Sequence, residues 1–127
     1  ILICDKKILI NQKKYFKFKK RLKILKIEKV RKEKLDNKSL NVINVELKTS
    51  SNRFYQNAYI KEYIKRSFHI AFKLITIGVT KKIINGPINK KKFLDKKFLG
   101  ITEYISFYFK KKNIGMLIYN KKFLFVL

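Results

Sequence analysis

Residues 40–72 read "LNVINVELKTSSNRFYQNAYIKEYIKRSFHIAF", and the change of period inside this stretch decides the fold. Over residues 40–48, Ile43, Val45 and Leu47 alternate with Asn44, Glu46 and Lys48, the two-residue repeat of a half-buried strand. The "TSSN" that follows supplies helix-capping side chains, with Ser51 and Asn52 best placed. Phe54, Ala58, Ile64, Phe68 and Ala71, flanked by Tyr55 and Tyr59, then share a broad helical face, while Lys61, Lys65 and Arg66 fall elsewhere. A strand leading into a helix with one apolar and one basic side is expected.

Towards the N-terminus, "ILICDKKILIN" (1–11) is apolar but split by Asp5, Lys6 and Lys7, which reads as two short strands or one broken strand. Residues 11–37 contain no breaker and many lysines. Tyr15, Phe18, Leu22 and Leu25 follow helical spacing there and Phe16, Ile24 and Ile27 do not, so the segment is a helix or an extended arm. Towards the C-terminus, Ile75, Ile77, Val79 and Ile83 return to strand pattern. Gly86 and Pro87, the latter the only proline, should then stop sheet pairing and project "NKKK" as a loop or hairpin arm. "ITEYISFYF" (101–109) reads as an aromatic strand, "KKKNIG" as a basic turn, and "MLIYNKKFLFVL" (116–127) as a final strand.

The chain has 127 residues, enough for one compact domain or a smaller one with a long extension. Lys and Arg number 33 against 8 acidic residues, a net charge of +25 that calls for an anionic partner. With 46% hydrophobic and 14% aromatic residues the chain can still bury a core, unlike a disordered basic tail. The abundance of Lys, Ile, Asn, Phe and Tyr matches A/T-rich codons and suits an organelle genome or an unusually A/T-rich nucleus. The start at Ile1, with no methionine before Met116, fits a fragment or a non-standard start codon. A lone Cys4 excludes an internal disulfide and a cysteine metal cluster. The most apolar run, residues 68–79, is interrupted by Lys73 and is too short to cross a bilayer.

Catalytic chemistry is sparse. One histidine and eight scattered acids form no glycine-rich nucleotide loop, no P-loop and no HExxH zinc motif, and His69 is expected as a packed structural residue. What stands out is lysine on turns: Lys81, Lys82, Lys90, Lys91, Lys92, Lys96, Lys97, Lys110, Lys111, Lys112, Lys121 and Lys122. Lysine is a flexible point charge, suited to phosphate backbones more than to base edges. These residues are the expected RNA contacts, with Gly86 and Pro87 as a structural turn. No metal site and no cofactor are implied, and no small-molecule substrate is expected.

The order of strand, helix, strand, Gly-Pro-Ile, basic hairpin and strand resembles small-subunit ribosomal protein S-ten, the NusE family. "VELKTSSNRFYQNAYIKEYIKR" is similar to that family's first strand and helix. "KIINGPINKKKF", through Gly86, Pro87 and Ile88, resembles its Gly-Pro-Ile segment, and "KKKNIGMLIYNKKFLFVL" its basic turn and following strand. A fainter likeness of "NGPI" and "IGMLIYNKKF" is to small-subunit protein nineteen.

The resemblance implies an α+β fold with a ferredoxin-like split β-α-β sheet, truncated at its C-terminus. Residues 1–40 would form a basic extension and 41–127 the S-ten-like domain. It implies a non-enzymatic constituent of the mitochondrial small ribosomal subunit, with rRNA and neighbouring ribosomal proteins as partners. A free-standing single-strand RNA-binding protein is the other reading. Because the family's last strand lies beside its first, the strand at 42–48 would have an open edge, to be covered by "KILIN" from the N-terminus or by another polypeptide.

Overall fold

A computed structural model of the chain describes residues 1–49, 51–94, 97–112, 114–115, 117–120 and 123–126, and the backbone alone at 53–55, 117–120 and 123–126. Its elements in order are β1 (Leu2–Cys4), α1 (Lys6–Tyr15), β2 (Arg21–Ile24), β3 (Ser39–Asn44), α2 (Arg53–Thr76), α3 (Lys90–Leu94), α4 (Ile101–Phe109), β4 (Leu117–Asn120) and β5 (Phe123–Val126). The fold class is α+β. The chain divides into two compact units, Ile1–Gly86 and Pro87–Leu127.

In the first unit, β1, β3 and β2 lie side by side in that order, and both pairings are parallel. Leu2 pairs with Val42 on one edge of β3, and Ile24 pairs with the same residue on the other. The helix α1 therefore carries the chain from β1 past one vacant position, which β3 later fills. Val42 is 0% exposed, and its neighbours Ile43 and Val45 are also buried. Since successive strand side chains point to opposite faces, β3 is covered on both sides, as expected of the middle strand of a parallel sheet.

This differs from the sequence reading in four ways. The alternation of Ile43, Val45 and Leu47 assigned one apolar face, whereas Leu40 and Val42 occupy the other, so the strand is not half-buried. The ferredoxin-like arrangement has antiparallel neighbours, and the described strands of this unit are parallel. The expected cover over the edge does come from the N-terminus, but through Leu2–Cys4; the residues "KILIN" are in α1. Residues 11–37, expected as one helix or one arm, hold the end of α1, the strand β2 and a run of turns.

The helix α2 was legible from its spacing, and the Asn52 carbonyl at its start accepts the Gln56 N–H at 3.0 Å. Its Phe68, Ala71, Phe72 and Leu74 are buried. Leu74 joins Leu25, Val30 and Ile43 in a core against which Ile3, Ile27, Ile70, Ile77 and Val79 pack. That packing overrides the β-branched run at 75–79, read as strand: the helix runs on through Thr76. It ends where Gly78 adopts φ +76° and the Gly78 and Val79 amides donate back to the Ile75 and Leu74 carbonyls, both at 2.9 Å. This is the double hydrogen-bonded stop that favours glycine.

In the second unit, the Asn89 side chain accepts the Lys92 N–H at 3.1 Å and starts α3. "NKKK" therefore opens a short helix, and not the loop or hairpin arm expected. Phe93 and Leu94 are buried, and Phe93 meets Tyr104 of α4 edge to face at 5.2 Å. Residues 101–109, expected as a strand, form α4 between Gly100 as N-cap and Lys110 in the left-handed region. The alternating aromatics are helical because Phe98 packs on both Tyr104 and Phe107, residues about one turn apart. In place of the expected single final strand there are two, β4 and β5, paired antiparallel.

Candidate functional site

In open sheets of parallel strands, ligands bind outside the carboxyl ends of the strands. Here those ends include Cys4 of β1, which leads through Asp5 into α1, and Asn44 of β3, which leads into the irregular segment 45–49. Asp5 is the hub. Only 4% exposed, it caps α1 through Oδ1, which accepts the Lys7 and Ile8 amides at 2.7 and 3.0 Å. Its Oδ2 accepts the Leu47 N–H at 2.7 Å, tying the first turn of α1 to the segment that follows β3. The Asp5 amide donates to the Tyr63 hydroxyl of α2 at 3.2 Å, and the Lys6 amide donates to Asn44 Oδ1 at 2.7 Å. Val45 N–H reaches the Cys4 carbonyl at 3.0 Å, and Arg66 Nη2 donates to the Glu46 carbonyl at 2.6 Å.

Beside this hub lies an open crevice of about 430 Å3, whose polar lining includes Asp5, Lys7, Glu46, Lys48, Thr49 and Tyr59. Burial works to raise the Asp5 carboxyl, but the Leu47, Ile8 and Lys7 amides and the Lys7 charge outweigh it and hold the group below the usual carboxylate range. Burial, with the Asp5 charge second, pushes the Cys4 thiol up. Burial also raises the Tyr63 hydroxyl, against the hydrogen bond from the Asp5 amide. Asp5 is therefore a fixed anion with both oxygens engaged, which suits it to holding the crevice wall and not to taking a proton from a substrate. The groups free to meet a ligand are the Lys7 and Lys48 ammonium groups and the Thr49 and Tyr59 hydroxyls. Lys7 approaches Glu46 only at 3.8 Å, with both side chains well exposed, so its charge remains usable by an anion.

None of the described lysines named from sequence is among the residues that line this crevice. Lys81 and Lys82 are exposed after α2, Lys90, Lys91 and Lys92 are exposed on α3, and Lys97 follows it. Lys110 is the C-cap of α4, with Lys111 and Lys112 exposed beyond it. Lys96, Lys121 and Lys122 lie outside the described residues. Gly86 and Pro87 are exposed and have no regular structure. His69, expected as a packed residue, is exposed on α2.

Among the described residues no three His, Cys, Asp or Glu side chains come together as a metal site, and no helix is long and apolar enough to cross a membrane. Sequence reasoning missed Asp5, Asn44 and Tyr63. The usable sign was an acid directly after an apolar triplet and before a breaker-free run, the pattern of a helix cap.

The model of a protein family described as pyridoxal phosphate biosynthetic protein PdxA matches residues 1–127. No curated protein and no solved structure matches the chain. The match over the whole sequence overturns the resemblance to the NusE family and, with it, the ribosomal and translational role and the rRNA and ribosomal-protein partners. It also overturns the expectation of a non-enzyme without a small-molecule substrate. The resemblance rested on an order of elements around Gly-Pro-Ile, and the folded chain does not reproduce that order: the expected strand before it is helix and turn, and the expected hairpin after it is α3.

Proposed function

The chain belongs to the family of pyridoxal phosphate biosynthetic protein PdxA, and from that premise we propose that it serves vitamin B6 biosynthesis as part of a dehydrogenase acting on 4-hydroxythreonine 4-phosphate. The observation that carries this reading is the family match across residues 1–127. The geometry supports a phosphorylated small molecule in the crevice beside Asp5. Lys7 and Lys48 supply positive charge for a phosphate, and Thr49 and Tyr59 supply hydroxyls for the polar remainder of the substrate. A lysine suits this work as a point charge on a phosphate group.

A dehydrogenase also needs a hydride acceptor, and the residues around β1 do not fit a dinucleotide. Such a site places a pyrophosphate on free amides at a helix N-terminus, approached across glycines. In this chain Asp5, Lys6 and Lys7 stand at that junction, and the Asp5 carboxylate and the Asn44 side chain already accept the amides of Lys6, Lys7 and Ile8. The contribution assigned to these residues is accordingly substrate binding and orientation.

Two measurements test the proposal. Expression of the protein in a bacterial strain that requires pyridoxal should restore growth; soluble, folded protein that fails to do so counts against the function. Calorimetric titration with the phosphorylated hydroxy-amino acid should show binding that weakens at least about tenfold in the Lys7→Gln, Lys48→Gln double variant, because two charge-assisted contacts disappear. Unchanged affinity in that variant would move the substrate out of this crevice.

A further inference from the structure

The end of α1 presents a surface that the crevice does not use. Residues 13–20 read "KKYFKFKK", five lysines around three aromatic rings. Tyr15, Phe16 and Phe18 are 80%, 72% and 46% exposed, although rings of this size are normally withdrawn from water. The turn that carries them is firmly built. The Lys17 amide donates to the Lys14 carbonyl at 3.2 Å and the Phe18 amide to the Lys13 carbonyl at 2.9 Å, closing the helix with Lys17 at φ 51°. Lys13 Nζ reaches the Lys20 carbonyl across the base of the turn. Tyr15 and Phe16 stand edge to face with ring centres 5.0 Å apart, and the other charged groups of the tip are Lys14, Lys17, Lys19 and Lys20, whose Nζ donates to the Asn37 carbonyl at 2.8 Å.

We propose that this tip docks on an anionic lipid bilayer, with Tyr15, Phe16 and Phe18 entering the headgroup boundary and the surrounding lysines lying against lipid phosphates. Rings at the level of the headgroups with lysines beside them are the usual components of interfacial binding, and a basic cluster is attracted to an anionic leaflet. A second copy of the chain does not fit, because pairing the tips would bring two sets of five lysines together. Exposed rings on a tight turn also favour a soft, broad surface over a single nucleic-acid strand, which binds along a groove. The inference is independent of the crevice and of its substrate.

Sedimentation with phosphatidylserine-containing and with purely phosphatidylcholine vesicles tests it, using the intact protein and a Phe16→Trp variant as a probe. Binding to the anionic vesicles, with a blue shift of Trp emission, is expected; binding without the shift would overturn insertion of the rings. Replacing Lys14, Lys17 and Lys19 by Gln should lower the partition coefficient by about a hundredfold at low salt, at roughly fivefold per lysine. The variant Tyr15→Ser, Phe16→Ser, Phe18→Ser should lose most binding while keeping its helical circular dichroism. Replacing Lys90, Lys91 and Lys92, which are also exposed, by Gln should change little. A loss as large in that control as at the tip would reduce the effect to general charge and overturn the site. So would single-stranded oligonucleotide binding that depends on the three rings while vesicle binding does not.

Discussion

Replacing Asp5 separates its two tasks. In Asp5→Ala the cap of α1 disappears, at about 1 kcal/mol, and the Leu47 amide is left without its acceptor in a part-buried position, at about 1–3 kcal/mol. The expected loss is about 2–4 kcal/mol. In Asp5→Asn the amide oxygen can still accept from Lys7 and Ile8, but its NH2 faces the Leu47 N–H, donor against donor, so about 1–3 kcal/mol is lost and most of the cap survives. Urea unfolding of the purified protein measures both, with an expected order of wild type, Asn and Ala from most to least stable. The pH dependence gives a second reading. The native carboxyl lies below its unfolded value of about 3.9, so its contribution is full above that value and is lost as pH falls through the lower native value. The advantage of wild type over Asp5→Asn should therefore be constant near neutrality and shrink in acid. Equal stability of wild type and Asp5→Ala at neutral pH, or an advantage that grows with acidification, would refute the hub.

Three further outcomes follow from the same packing. Phe72, with no exposed surface and its ring 5.5 Å from that of Phe68, should lose about 3–5 kcal/mol on truncation to Ala, read as a lower urea midpoint. Gly78→Ala should cost about 1–2 kcal/mol through its φ of +76°, although a Cβ there meets no atom within 4 Å; an unchanged midpoint would show that the helix stop does not need this conformation. The Cys4 thiol, raised by burial and then by Asp5, should react with a disulfide reagent at mildly alkaline pH more slowly than a free cysteine, and Asp5→Asn should quicken it under native conditions.

Legibility in the sequence followed the range of the forces involved. The helix α2 was visible because its apolar positions recur without a breaker, and a strand over residues 40–48 because Ile43, Val45 and Leu47 alternate, although β3 itself ends at Asn44. Its position between two parallel neighbours was not visible, since that depends on residues 2–4 and 21–24, which local pattern left as a broken strand and part of a helix or arm. The aromatics of 101–109 fit either period, and packing with Phe93 and Phe98 from outside the segment favours the helix. The candidate site was missed for an electrostatic reason: attention to 33 basic residues drew the reading to lysine clusters, while the crevice is organised by one buried acid.

The placement of β3 between β1 and β2 has a consequence for synthesis of the chain. As it leaves the ribosome, β1 emerges first and β2 second, but neither neighbours the other in the finished sheet. Leu2 must wait for Val42 before it gains a partner, and Arg21 must wait for Ser39. Until then the apolar residues of the first segments have no sheet to join, and the growing chain exposes unpaired strand edges to its surroundings. The third strand thus acts as a keystone delivered last, and assembly of the sheet is timed by its arrival and not by the order in which the first two strands were made.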